Sequence, residues 1–358
     1  MTAFGKFVVT CSLQAIASTA LAQSTGVVNV TMCRDAVAGA IRQLNDRYVF
    51  PEMAKKAEAV LNRNMEVKAY DGFNDAAAFA YKLTEDVQAV TSDKHIRVRY
   101  SSTPLPETQR GAPSLEEVVQ FRKEAANLNY GVEKVERLPL NLGYIDLRGF
   151  MSAELAGETI SAAMTLVANT DALIVDLRKN DGGYPATVAF MTSYLFDERT
   201  HLNNMYWRDG NRTNHFWTHD WVPGKRFGQK KPVYVLTSKR TFSGAEEFSY
   251  NLKNLKRATI VGETTGGGGA HPGGYRRLSA HFEMFVPNGR AINPITNTNW
   301  EGTGVEPDIK VPAGDALRTA QMHALRTIVA NEKDTEHRKR LQARIEELEK
   351  EMPEAMND

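Results

Sequence analysis

The stretch PVYVLTSKRTFSGAEEFSYNLKNLKRATIVGE, residues 232–263, decides the fold. PVYVLTS (232–238) is an apolar run rich in β-branched and aromatic residues, the signature of a buried strand. GAEEFSYNLKNL (244–255) spaces its apolar residues at helical intervals, and ATIVGE (258–263) is a second buried strand. A helix between two buried strands is a crossover, and a crossover joins parallel strands. The same alternation runs upstream. LGYIDLRGF (142–150) and ALIVDLR (172–178) read as strands, and ELAGETISAAMTLVA (154–168) and YPATVAFMTSYLF (184–196) as helices. The pattern predicts an α/β domain over 130–312.

Outside that domain the pattern changes. RDAVAGAIRQLNDRYVF, PEMAKKAEAVLNRNMEV and NDAAAFAYKLTEDVQAV predict three N-terminal helices, the second opening on Pro51 and the third capped by Asn74. HIRVRYS (95–101) alternates like a half-exposed strand. We therefore divide the chain into a helical domain over 23–100, a Pro-rich linker over 101–129, the core over 130–312 and C-terminal helices over 313–358. The charge run 332–352 mixes both signs at helical spacing, as a solvated helix face does. Residues 199–228 read as irregular, with Trp207, Trp217 and Trp221 in a lid, a pocket wall or buried filler.

Residues 1–22 carry one lysine, an apolar stretch and Ala20-Leu21-Ala22, which reads as a signal peptide and predicts export to a periplasm. Cleavage there leaves Cys33 as the single cysteine, so no intramolecular disulfide forms. The formal net charge of +1 over 358 residues argues against a nucleic-acid binder, and no other apolar run has membrane-spanning length, so no membrane insertion of the mature chain is expected. No His-Glu-x-x-His, Cys-x-x-Cys or Gly-Lys-Ser motif occurs, and neither metal nor organic cofactor is expected.

Chemistry in an α/β sheet concentrates in loops at the carboxyl ends of strands. One such loop puts Ser243 and Gly244 at the start of a helix, where serine is either a helix cap or a nucleophile. Another carries Gly182 and Gly183, which either make a tight turn or present N–H groups to an anion. A third, TTGGGGAHPGG (264–274), lacks the lysine of a phosphate loop and reads as a flexible substrate-side loop. Of the eight histidines, His95 and His271 are the best placed to serve a serine, and periodicity does not choose between them.

VTSDKHIRVRY (90–100), LGYIDLRGF, ALIVDLRKNDGG, TFSGAEEF, ATIVGETTGGG (258–268) and NWEGTGVEPDI (299–309), in this order, resemble the tail-specific or C-terminal processing serine peptidases of family S41. The chain is similar in particular to the branch of interphotoreceptor retinoid-binding proteins. The resemblance implies a crotonase-like core of spiralling strands and helices behind a small three-helix domain. Some forty residues between Tyr100 and Leu142 leave no room for the PDZ domain of other members. The lysine of their Ser–Lys dyad is replaced by Gly268.

The resemblance implies instead a tricorn-like Ser–His–Glu arrangement. Ser243 would be nucleophile, His95 general base and Glu301 the carboxylate, with oxyanion donors at Gly244 and Gly183 beside Gly182. Lys94 stands where a relaying serine is expected, and Ser92 is the substitute. The expected activity is cleavage of peptides or proteins near C-termini, or of short peptides. The oligomeric state, ring or dimer, stays open. The competing reading is a non-catalytic carrier of an apolar, retinoid- or lipid-like ligand.

Overall fold

The computed structural model describes residues 26–107, 114–269 and 272–351; the signal peptide assigned to 1–22 and the candidate His271 lie outside the described residues. The chain runs α1 (Val30–Arg47), α2 (Pro51–Glu66), α3 (Ala76–Thr91), β1 (Val98–Tyr100), α4 (Leu115–Asn127), β2 (Val132–Leu138), β3 (Leu142–Leu147), α5 (Ala153–Val167), β4 (Ala172–Asp176) and α6 (Pro185–Thr192). It continues β5 (His201–Trp207), β6 (Arg212–Trp217), β7 (Val233–Thr237), α7 (Gly244–Asn254), β8 (Thr259–Gly262), β9 (Gly273–Arg277), β10 (Phe282–Pro287), β11 (Gly289–Ile292), β12 (Ile309–Lys310), α8 (Ala316–Asn331) and α9 (Thr335–Lys350). Two compact units divide it: Met1–Phe121 with Met205–Thr213 and His271–Ala291, and Arg122–Asn204 with Asn214–Ala270 and Ile292–Asp358. The chain passes between them along α4, β5, β6 and β11.

In the first unit, α1 to α3 start where local chemistry permits. Asn29 accepts from Met32 N–H at 3.0 Å, and Pro51 occupies a first-turn position whose N–H is dispensable. The cap of α3 is Asp75, which accepts from Ala78 N–H at 2.7 Å. Asn74, the cap expected from sequence, instead gives its carbonyl to Val28 N–H at 3.1 Å. The helices bury one apolar stripe each, with Ala36, Ala40 and Leu44 from α1, Ala54, Ala57 and Leu61 from α2, and Phe79, Leu83 and Val87 from α3. This core is completed by a three-stranded antiparallel sheet in the order β1-β10-β9, from which Phe282, Met284 and Val286 point inward at period two. The Phe79 and Phe282 rings meet edge to face at 5.1 Å. The unit is thus mixed rather than helical alone, because its sheet borrows residues more than 170 positions downstream of β1.

The second unit is a mixed α/β fold around a six-stranded sheet in the order β12-β8-β7-β4-β3-β2. All neighbours pair in parallel except β2, an antiparallel edge strand. β4 and β7 are buried along their whole length, as strands covered on both faces must be. Alternate residues Ala172, Ile174, Tyr234, Leu236 and Val261 pack with α8 and α9. The charged run in α9 keeps only Leu341, Ile345 and Leu348 buried, so its charges form the outer face expected from sequence. The segment read as irregular holds two strands, β5 and β6. No helix among the described residues is long and apolar enough to cross a membrane.

Two helical glycines make opposite predictions. A Cβ on Gly39 of α1 would lie 2.2 Å from the carbonyl oxygen of Leu278, whereas one on Gly157 of α5 would meet nothing within 4 Å. Alanine is worth about 1 kcal/mol over glycine inside a helix, but overpacking costs about 1–3 kcal/mol. Backbone cannot yield as a side chain does, so the clash wins at position 39. Thermal unfolding should show Gly39→Ala melting below wild type and Gly157→Ala at or above it; equal shifts would refute the close approach of α1 to Leu278.

Candidate active site

β4, β7 and β8 are adjacent and parallel, so the loops leaving their carboxyl ends emerge side by side. These loops carry Gly182–Gly183, Ser243–Gly244 and the glycine run from 266. A buried amide joins the first two. Asn180 donates from Nδ2 to Leu147 O at 2.9 Å and accepts from Gly182 N–H at 2.8 Å, while its carbonyl accepts from Phe242 N–H at 3.0 Å. Nothing in the sequence singles out Asn180, because its three partners come from three strands' ends.

Ser243 is the N-cap residue of α7 and has φ +52° and ψ −119°. That region is strained for a residue with a Cβ, at a cost of about 1–3 kcal/mol. Glu246, three residues on, accepts from Ser243 N–H at 2.9 Å in the manner of a capping box. The Gly182–Gly183 turn lies directly against this elbow. A Cβ on Gly182 would fall 2.6 Å from Gly244 N and 2.7 Å from Ser243 Cβ, and one on Gly244 would fall 2.9 Å from Gly183 N. Both glycines of the turn have positive φ, +102° and +139°. The parallel bridge to Phe150 uses Gly182 O and Tyr184 N–H, so Gly183 N–H takes no part in it. Gly244 N–H is the first donor of α7, at the positive end of its dipole. Two main-chain donors therefore flank the serine, the layout that stabilises a developing oxyanion.

The glycine loop, read from sequence as flexible, is pinned along residues 265–269. Glu246 collects Thr265 Oγ1–H in a short hydrogen bond, Gly267 N–H at 2.8 Å and Gly268 N–H at 2.8 Å. Gly266 N–H binds Thr241 O at 2.9 Å, and the indole of the fully buried Trp300 donates to Gly268 O at 2.7 Å. Glu301 follows Trp300 and takes Gly269 N–H at 2.5 Å, so the expected carboxylate is a partner of this loop. A Cβ on Gly268 would lie 2.0 Å from the Phe242 ring. The place of the dyad lysine is thus filled by an aromatic ring, and no side chain fits there.

In the first unit, His95 is mostly buried, its Nδ1 3.4 Å from Asp93 Oδ1. Asp93 is fully buried; it also accepts His95 N–H at 3.0 Å and Tyr48 O–H at 3.1 Å. The carboxylate that reaches this imidazole inside the unit is therefore Asp93, which sequence reasoning passed over although it stands two residues away. Ser92 is the exposed left-handed C-cap of α3. Other described histidines have structural partners. His201 and His215 both meet Asn204 Oδ1, at 2.7 and 2.6 Å, and His201 stacks on Trp217. His281 binds Ser101 O, His323 meets Tyr234 O–H, His337 pairs with Glu332 and His219 packs edge-on to Phe190. Arg148 pairs with Asp146 and Arg178 with Asp176, both at 2.6 Å, as structural ion partners. Trp217 and Trp221 line an open cleft of about 550 Å³ beside Ala186 and Ala189 of α6, so these indoles are wall rather than filler.

Glu247 lies one residue beyond Glu246 and is fully buried, with Oε2 unpartnered among the described residues. Burial pushes its carboxyl up to about 7, against the pull of the neighbouring Asn203 amide. A folded-state value above the unfolded one means that the native state holds the proton more tightly. Stability is then greatest below about pH 4.5 and falls as pH rises through 7. A shift of this size corresponds to about 3 kcal/mol. Urea unfolding at pH 5 and pH 8 should show wild type losing stability across the interval. Glu247→Gln, neutral throughout, should lose about 3 kcal/mol less, and parallel pH dependence in the two proteins would exclude the assignment.

Comparison with known proteins agrees with this geometry. The family model described as peptidase family S41 matches residues 141–311, and that of the N-terminal domain of the family in eukaryotic IRBP matches 17–135. The chain is 26% identical over 192 residues to the chloroplastic carboxyl-terminal-processing peptidase 1 of Arabidopsis thaliana, an overlap of 53% of this chain and 38% of that protein. With peptidase 2 of the same plant it is 27% identical over 186 residues, 48% of this chain and 32% of the relative. The chain thus spans about a third of the length of the curated relatives it matches. In fold it is similar to a crystal structure from Parabacteroides merdae described as a candidate peptidase, with a TM-score of 0.54 at 18% identity over 78% of this chain and 90% of that one. Two family models that together span most of the sequence, over a parallel sheet with the serine turn at its carboxyl edge, place this chain in peptidase family S41.

Proposed function

We propose that this protein is an exported serine peptidase that hydrolyses peptide bonds near C-termini or in short peptides, with Ser243 as nucleophile. The observation that carries the reading is the strained Ser243 elbow set between two main-chain donors, Gly244 N–H and Gly183 N–H. A helix cap needs neither a strained backbone nor a second turn pressed against it. The relatives' name, carboxyl-terminal-processing peptidase, supports the substrate class. The signal-like residues 1–22 support export to a periplasm. We read the second unit as a crotonase-like core and α1 to α3 as the small N-terminal domain of the same branch.

In the proposed mechanism Ser243 Oγ attacks the scissile carbonyl while His95 Nε2 takes its proton, then returns it to the leaving amine. The carbonyl oxygen, negative in the tetrahedral intermediate, is met by the N–H groups of Gly183 and Gly244. Glu301 is the carboxylate of the network by motif, and Asp93 holds the imidazole from its Nδ1 side, favouring the tautomer with Nε2 unprotonated. Gly268 excludes a lysine base.

Fluorophosphonate labelling of the purified mature protein, read by mass spectrometry of the modified peptide, tests this. Wild type should carry the adduct on Ser243 and Ser243→Ala none. His95→Ala should react about 100-fold more slowly or worse, the usual scale for loss of a general base. An unlabelled wild type, under conditions that label a control hydrolase, would sink the reading and favour the carrier of an apolar ligand.

A further inference from the structure

We propose that Glu246 is a positioning residue for the reaction: its carboxylate locks the Ser243 elbow to the 265–268 loop, so that the serine and its oxyanion donors keep one geometry. This rests on the reading of Ser243 as nucleophile. Glu246 is fully buried, yet it carries no ion-pair partner among the described residues. Its charge is met by four hydrogen-bond donors instead, namely Ser243 N–H, Thr265 O–H, Gly267 N–H and Gly268 N–H. Three of these come from the loop after β8, and the fourth is the main chain of the nucleophile itself.

The division between the two oxygens is informative. Oε1 takes Thr265 and Gly267, while Oε2 takes Gly268 and Ser243. Oε2 is therefore shared between the elbow and the residue that seats the Phe242 ring. Phe242 precedes Ser243, and its ring fills the space over Gly268. The elbow is held on one side by carboxylate and ring, on the other by the Gly182–Gly183 turn. A positive φ at a serine relaxes when its surroundings allow it, so some contact must over-determine the turn. The Glu246 side chain bonds the main chain of both segments. Thr265 extends the lock, since its oxygen also accepts Val305 N–H at 2.7 Å.

A carboxamide cannot replace this group. Four donors converge on two oxygens, and glutamine would turn an N–H₂ toward two of them. Labelling kinetics on the full-length mature protein test the assignment with Glu246→Gln, Thr265→Val and Thr265→Ser beside wild type. The first-order phosphonylation step should slow about 100-fold in Glu246→Gln, on the scale of one lost oxyanion donor, with saturation by the probe little changed. Thr265→Val should slow it less, about 10-fold, and Thr265→Ser, which keeps the hydroxyl, should restore the wild-type rate. If Glu246→Gln fails to fold by near-ultraviolet circular dichroism, the valine and serine pair decides alone. Folded variants reacting at the wild-type rate would reduce Glu246 to a buried anchor while leaving Ser243 as nucleophile. A wild type that takes no label would overturn both.

Discussion

The rest of the site depends on how one buried carboxyl is held by hydrogen-bond donors without a cation. Removing a carboxylate from water costs several kcal/mol. Each hydrogen bond to a charged group returns about 1.5–3 kcal/mol, and even with all four made burial still pushes the Glu246 carboxyl up to about 7. Glu246 draws these donors from two segments that are remote in sequence, with partners 3, 19, 21 and 22 residues away. The elbow and the glycine loop are consequently not independent. Shifting either one strands that carboxyl in the interior.

The glycines then follow from how closely main chain packs on main chain. At 182, 183, 244 and 268 a methyl group would fall within 3 Å of a neighbouring atom. Three of those neighbours are backbone, and the fourth is the Phe242 ring. Loops rich in glycine are commonly mobile, but here the residue serves close approach. The same logic leaves two N–H groups beside the serine outside the hydrogen-bond ladder, where they cost least if a substrate oxygen completes them. Ligand binding and backbone satisfaction are in this sense one problem at the carboxyl edge of the sheet.

What could be read beforehand follows the range of the interactions involved. The parallel pairing of β3, β4, β7 and β8 was legible because their apolar runs are unbroken and helices lie between them. Ser243, Gly182 and Gly183 were legible as residues of loops at strand ends. The sheet of the first unit was not, because β9 and β10 reach it from the far end of the chain. Glu246 escaped for a different reason. A glutamate three residues after a helix-cap serine is fully explained as a capping box, and it forms one. Its longer-range partners are backbone groups, which have no letter in a sequence. Asp93 could have been found, since an acid two residues before a histidine can turn back on it in a tight bend.

On the proposal that Ser243 is the nucleophile, the side chains around it and the described histidines differ in their fitness as its base. Glu246 is near the serine, but both its oxygens are spent on donors, and protonating one would break a hydrogen bond it already holds. A lysine at 268 is sterically barred by Phe242. Imidazole is the remaining side chain whose ordinary pKa, about 6.5, lets it exchange a proton near neutrality. His201, His215, His281, His323 and His337 bind neighbours through ring nitrogens, which fixes them as structural groups. His95 differs in having a buried carboxylate at one nitrogen, itself oriented by Tyr48, as a base needs when its ring must not rotate between taking and returning a proton. Within the proposed reading, the histidine matched by motif is thus also one held by a buried carboxylate.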